Sequence, residues 1–183
     1  MTQHPNLNIR KKEKSQLLLL IKKFKPLLLS HHPNCAQFKN HTLTIGKFKF
    51  CIGCFVGYPT ALLGILIIDF FNLEDVLASV YFLIIGIILM SFFLLSPLNL
   101  TNIKKIKIIQ KLLIGLGAAF LFWWIWSSPF SFTLNSVLFL LIFGTLITLL
   151  NGYHAYSFYR TCKKCEFAMN WQRCPGFKEF YKN

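Results

Sequence analysis

Cysteine and histidine residues at metal-ligand spacing occur at two places in this sequence. The first is His31-His32-Pro33-Asn34-Cys35, followed after fifteen residues by Cys51-Ile52-Gly53-Cys54. A C-x2-C turn directs two thiolates at one ion, and a distant His/Cys pair closes a tetrahedron at about 2.3 Å from sulfur and about 2.0 Å from nitrogen. His32 fits the x2 spacing to Cys35 better than His31 does, so His32, Cys35, Cys51 and Cys54 form the expected first ligand set. His41 reads as a turn or surface histidine. The second place is Cys162-Lys163-Lys164-Cys165 and, eight residues on, Cys174-Pro175. Its three thiolates require a fourth ligand, for which His154 or a member of the first set is available. Two sites of three cysteines and one histidine satisfy the spacing. So does one site of Cys51, Cys54, Cys162 and Cys165, with Cys35 and Cys174 left over. Structural zinc is the expected ion on tetrahedral N/S preference. An iron–sulfur cluster is the alternative, because thiolates are its ligands and a Cys-Pro step like Cys174-Pro175 occurs in ferredoxin-type runs. Dithiol exchange, palmitoylation of Cys54 or Cys162, and inert buried thiols are the remaining uses.

These residues sit at the two ends of a strongly apolar chain. At 183 residues and 55% hydrophobic, with mean hydropathy +0.52, the composition exceeds that of an ordinary soluble domain. Four stretches, Ile52–Phe71, Leu77–Leu98, Ile108–Trp126 and Leu134–Tyr156, are long enough to cross a hydrocarbon core of roughly 30 Å at about 1.5 Å per helical residue. Ahead of them, Thr42-Leu43-Thr44-Ile45, Gly46 and Lys47-Phe48-Lys49-Phe50 alternate like two short strands around a glycine turn, which delivers the chain into the Cys51 turn. The predicted fold is therefore an all-α integral membrane protein. It is a four-transmembrane-helix bundle with small cytoplasmic Cys/His knuckles and a short β-hairpin before the first span. Residues 1–14 read as a disordered basic tail and 15–51 as an interfacial helix plus the knuckle hairpin. Residues 52–156 form the membrane domain, and 157–183 a cytoplasmic Cys-rich tail.

Charge orients this arrangement. The segment before the first span carries ten Lys/Arg, the second connector and its flanks four (Lys104, Lys105, Lys107, Lys111), and the tail from Arg160 six; the first and third connectors carry none. Basic loops mark the cytoplasmic side, so both termini and all six cysteines are expected there, in a reducing compartment that disfavours disulfides. The inner face has twenty basic residues against Glu13, Glu166 and Glu179, a formal +17, whereas Asp69, Glu74 and Asp75 give the outer face −3. Anionic lipid headgroups are the expected inner-face partner, at about 1 kcal/mol per Lys near the surface. Nucleic acid is not expected, because no basic groove interleaved with aromatics is present. A secretory signal is not expected either: the run Leu17–Ile21 is five residues long and ends in Lys22 and Lys23.

The spans hold almost nothing ionisable, which argues against an ion or proton pathway. The ladder Gly53, Gly57, Ala61 lets another helix approach closely, either within the chain or in a homodimer. Tyr58-Pro59 is expected to kink the helix beside it. Trp123, Trp124 and Trp126 read as an outer aromatic belt, and Tyr153, Tyr156 and Tyr159 as an inner one.

The run from His32-x2-Cys35 through His41-Thr42-Leu43-Thr44-Ile45-Gly46 to Phe50-Cys51-Ile52-Gly53-Cys54-Phe55-Val56-Gly57 resembles the N-terminal motif of a family of small bacterial and archaeal membrane proteins of unknown function. In that family a His/Cys pair, a Ser-Phe-x-Ile-x-Gly-like strand and a Cys-x-Arg-Cys-x-Gly turn precede several membrane helices. This chain departs at Gly53, where the family often has Arg, and it adds the Cys162/Cys165/Cys174 set. The resemblance implies a prokaryotic multi-pass membrane protein with a metal site and supplies no activity. With no acid/base pair, nucleophile–base arrangement or phosphate-binding loop in the sequence, the expected role is a non-catalytic scaffold or interaction protein. The alternative is a membrane redox protein.

Overall fold

The computed structural model describes residues 35–46, 48–98, 100–167, 170 and 172–175. The segment 15–29 expected to lie at the interface, the tail 1–14 and both His31 and His32 lie outside the described residues. The chain divides into two compact units, one of Met1–Cys51 with Asn170–Asn183 and one of Ile52–Met169.

The first unit contains the hairpin. Strands β1 (Thr42–Ile45) and β2 (Phe48–Cys51) pair antiparallel, with Thr42 opposite Cys51 and Ile45 opposite Phe48. A two-residue connection of this kind needs a primed turn, whose first position has positive φ. Gly46 supplies it at φ +58°. Nothing lies within 4 Å of where its Cβ would be, so the backbone angle alone calls for glycine. A short 3-10 helix, Ala36–His41, enters β1, and it buries Phe38 edge-on to His41 with ring centroids 5.7 Å apart.

The second unit is helical. After a π-helical turn, Gly53–Gly57, comes α1 (Tyr58–Phe70). The wide turn has a local cause. Pro59 has no N–H to donate to the preceding turn and its ring crowds the carbonyl four residues back, so the backbone widens there. Thr60 Oγ1 donates to the Val56 carbonyl at 2.7 Å, a side-chain bond back onto the same widened turn. At the other end α1 stops at Asn72, which takes left-handed φ +48°, a conformation asparagine tolerates better than most side chains. A single helical turn, Leu73–Val76, leads into α2 (Ser79–Ser91), which tightens to a 3-10 turn over Phe92–Leu95. Then follow α3 (Lys104–Trp126) and α4 (Phe132–Lys163).

Among the described residues, three helices are long and apolar enough to cross a membrane: Gly53–Phe70 with 18 residues, α3 with 23 and α4 with 32; Ser79–Leu95 is a shorter apolar helix. Several helix ends differ from the expected spans: the second helix starts at Ser79 rather than Leu77, the third at Lys104 rather than Ile108 and the fourth at Phe132 rather than Leu134. The second apolar helix stops at Leu95 rather than Leu98, where Pro97 removes the next donor. The last helix runs on past Tyr156 to Lys163, so residues 157–163 of the expected tail are helical.

Helix α3 lies against both α1 and α2. Its buried residues are Gln110, Ile114, Gly115, Gly117, Ala119, Leu121 and Ile125, facing Gly64 and Ile68 of α1 and Phe82 and Gly86 of α2. Gly57 and Ala61, the upper part of the small-residue ladder, are taken up by this contact: a Cβ on Gly115 would lie 2.5 Å from the Gly57 carbonyl oxygen and 3.2 Å from the Ala61 nitrogen. Phe82 is fully buried and meets Phe120 at 5.7 Å. Helix α4 touches the rest through a few aromatic pairs, Phe139 on Phe122, Phe132 on Trp126 and Tyr153 on Phe93. Most of its length is exposed, including Leu140, Leu141, Leu149 and Tyr156.

Candidate metal centre

The candidate ligands divide between the two units. Cys35, Cys51 and Cys174 belong to the first, and Cys54, His154, Cys162 and Cys165 to the second. No disulfide joins any of the six cysteines.

Within the first unit, Cys35 is half-buried at the start of the 3-10 helix, and its carbonyl accepts from Phe38 N at 3.2 Å. Cys51 ends β2 and is buried. The hairpin register holds it opposite Thr42 and therefore at the strand end that adjoins the Cys35 segment in sequence. Cys174 closes a turn: its amide donates to the Asn170 carbonyl at 3.0 Å, while Asn170 Oδ1 accepts from Arg173 N at 3.4 Å. An asparagine that bonds its own downstream backbone is a common way to fix such a turn.

Within the second unit, Cys54 lies in the π-helical turn, half-buried, so the C-x2-C spacing is spread over a strand end and a helix start. Cys162 occupies the last turn of α4. The amide of Cys165 returns to the Cys162 carbonyl at 3.2 Å, which makes Cys162–Cys165 a hydrogen-bonded turn with both side chains half-buried. Lys163 reaches over the Tyr159 ring at 5.9 Å and places a cation beside that turn.

His154 is not delivered to this pair. It lies on the same unbroken helix as Cys162, eight residues earlier, hence about 12 Å away along the axis. His32 falls outside the described residues. Among the described residues, no three His, Cys, Asp or Glu side chains converge as a metal-binding group. The structure thus supplies local turns at Cys162–Cys165 and Asn170–Cys174 and a hairpin that ends on Cys51, without a closed tetrahedron.

The sequence reading missed Gln110, a polar residue between Ile109 and Lys111. It is 1% exposed, and its Nε2 lies 2.9 Å from the Phe92 carbonyl, 3.3 Å from that of Phe93 and 2.8 Å from Ser96 Oγ. These acceptors end the second apolar helix just before Pro97, whose missing N–H leaves the Phe93 carbonyl short of its usual donor. Gln110 is thus a side-chain cap supplied from a neighbouring helix. Trp123, read from sequence as an anchor, also bonds between helices, donating from Nε1 to the Ile65 carbonyl at 3.1 Å.

Comparisons with protein-family models, curated proteins and solved structures return no match to this chain.

Proposed function

We propose that the chain is a four-span membrane protein with both termini in the cytoplasm. Its inner-face cysteines bind zinc and organise the soluble segments into a non-catalytic scaffold, which meets a protein partner or anionic headgroups. The observation that carries the membrane reading is exposure: Phe70, Leu140 and Leu141 are 78%, 68% and 62% exposed on helices that are apolar almost throughout. Such continuous apolar surface is stable against hydrocarbon rather than water, and the helical form satisfies the backbone there. Ser79–Leu95 is the proposed fourth span; at about 26 Å it covers the core with slight thinning of the bilayer. The orientation rests on the Lys/Arg alternation between connectors.

The zinc reading is supported by the two C-x2-C pairs on one charge-defined face and by the hydrogen-bonded Cys162–Cys165 turn. Metal binding free energy becomes folding free energy, so a ligand set spread over short segments converges as the ion binds. Anaerobically purified protein is expected to contain one or two equivalents of zinc and to show no absorbance near 400 nm. Sub-stoichiometric metal with stability unchanged by a chelator refutes zinc, and a broad band near 400 nm replaces it with a cluster. A thiol reagent that does not cross membranes is expected to leave Cys162 unlabelled in intact cells; labelling there inverts the orientation.

A further inference from the structure

We propose that α4 is a self-association face, on which a second copy of this chain packs its own α4 through Gly144, Thr148, Asn151, Gly152 and Ala155. The proposal rests on the bilayer reading of α4 and is independent of the metal reading.

Successive helical residues are about 100° apart, which places these five within roughly 100° of arc. They lie on the side of α4 opposite Asn135, Phe139 and Tyr153, the residues turned toward the rest of the unit, and all five are exposed. A lipid-facing stripe is ordinarily Leu, Ile, Val or Phe. This one is small and polar over about three turns.

The glycines in it differ from those elsewhere in the helices. A Cβ on Gly64, Gly86, Gly115 or Gly117 would meet a neighbouring helix at 3.0 Å or less, whereas one on Gly144 or Gly152 would have nothing within 4 Å. Four-residue spacing of small side chains, here 144, 148 and 152, is the pattern that lets two membrane helices cross closely.

Asn151 identifies what covers the stripe. Its carboxamide makes no hydrogen bond among the described residues and faces outward about 7 Å inside the helix segment that ends at Tyr156. Hydrocarbon offers it no partner, and an unpaired amide there is costly. Thr148 has no such need, because its hydroxyl donates to the Gly144 carbonyl at 2.7 Å. A carboxamide carries both donors and an acceptor, so it is complementary to itself. Copies inserted in the same direction hold residue 151 at the same depth. A two-fold axis along the membrane normal then sets Asn151 against Asn151 and glycine against glycine.

The test is energy transfer between N-terminally labelled copies in liposomes at increasing protein-to-lipid ratio, compared with a monomeric membrane protein at the same densities. Wild type is expected to transfer above that control. Asn151→Leu is expected to raise the dissociation constant about fivefold to tenfold, from two symmetric interhelical bonds. Asn151→Gln should stay within about twofold of wild type, and Gly152→Leu should lose more than Asn151→Leu, because it fills the groove. Leu149→Ala, exposed on another face of α4, should change nothing. Wild type no better than the control, Asn151→Leu equal to wild type, or Leu149→Ala as damaging as Asn151→Leu overturns the proposal. Resistance of each variant to alkaline extraction from the liposomes reports the bilayer reading separately.

Discussion

Gly57, just before α1, and Gly115 of α3 face each other, yet alanine at the two positions should have unequal effects. On Gly115 a Cβ arrives 2.5 Å from the Gly57 carbonyl oxygen, 3.0 Å from Thr60 Cβ and 3.2 Å from the Ala61 nitrogen. Two of these atoms are backbone, so no rotamer change relieves the overlap. Carbon–oxygen contacts settle near 3.3 Å or more, so α1 and α3 must part by about 0.8 Å. Overpacking of this kind costs about 1–3 kcal/mol, against about 0.5–1 kcal/mol gained by replacing a helical glycine with alanine. The net is a loss of about 1–2 kcal/mol, roughly a 5- to 30-fold fall in the folded-to-unfolded ratio. On Gly57 a Cβ meets only the Lys111 carbonyl oxygen, at 3.8 Å, and the backbone at φ −63°, ψ −53° suits any L residue. Gly57→Ala is therefore expected to be neutral within about 0.5 kcal/mol, as for substitutions that disturb no packing. Equilibrium unfolding in mixed micelles, followed by tryptophan fluorescence, measures both. Equal effects of the two alanines, in either direction, would refute the assigned geometry of this contact.

Gln110→Leu preserves bulk but removes the donors to Phe92, Phe93 and Ser96, and should destabilise by about 1–3 kcal/mol in the same unfolding assay, with Gln110→Asn unable to restore the full reach. Trp123→Phe keeps the ring in place and loses one interhelical bond to Ile65, a change of about 0.6 kcal/mol. Gly46→Val forces a β-branched residue to φ +58° and should cost about 1–2 kcal/mol in the hairpin alone, read as faster amide exchange in β1 and β2 while α1 to α4 keep their protection.

The parts of the fold legible in the sequence are those governed by local composition. Apolar runs of membrane length appear as helices because each buries or presents its own surface without needing a distant partner. The β1–β2 hairpin was equally visible, since alternation and one glycine fix both strands and turn. Helix ends were less legible. Leu95 terminates its helix through Pro97 and through Gln110, fourteen or more residues away, and no local pattern links them. The unbroken run of α4 to Lys163 was hidden because polarity, which ended the expected span, does not end a helix. The cysteine pairs were found by spacing, yet spacing says nothing about convergence: C-x2-C at Cys51 and Cys54 joins a strand to a π-helical turn, and His154 is set apart from Cys162 by the rise of its own helix. The small-residue ladder gave a helix contact but not its partner, because Gly115 reads as one more glycine in an apolar run.

The length of α4 has a mechanical consequence. Its 32 residues extend about 48 Å, against roughly 30 Å of hydrocarbon and 40–45 Å of bilayer with headgroups. On the proposed insertion the excess lies past Tyr156, so Cys162 and Cys165 ride on a stiff mast about 10 Å beyond that residue rather than on a tether. A tethered turn would sample many heights and lose orientational freedom whenever it was engaged. A turn on a mast keeps one stand-off from the headgroups, and whatever grips it must reach to that level.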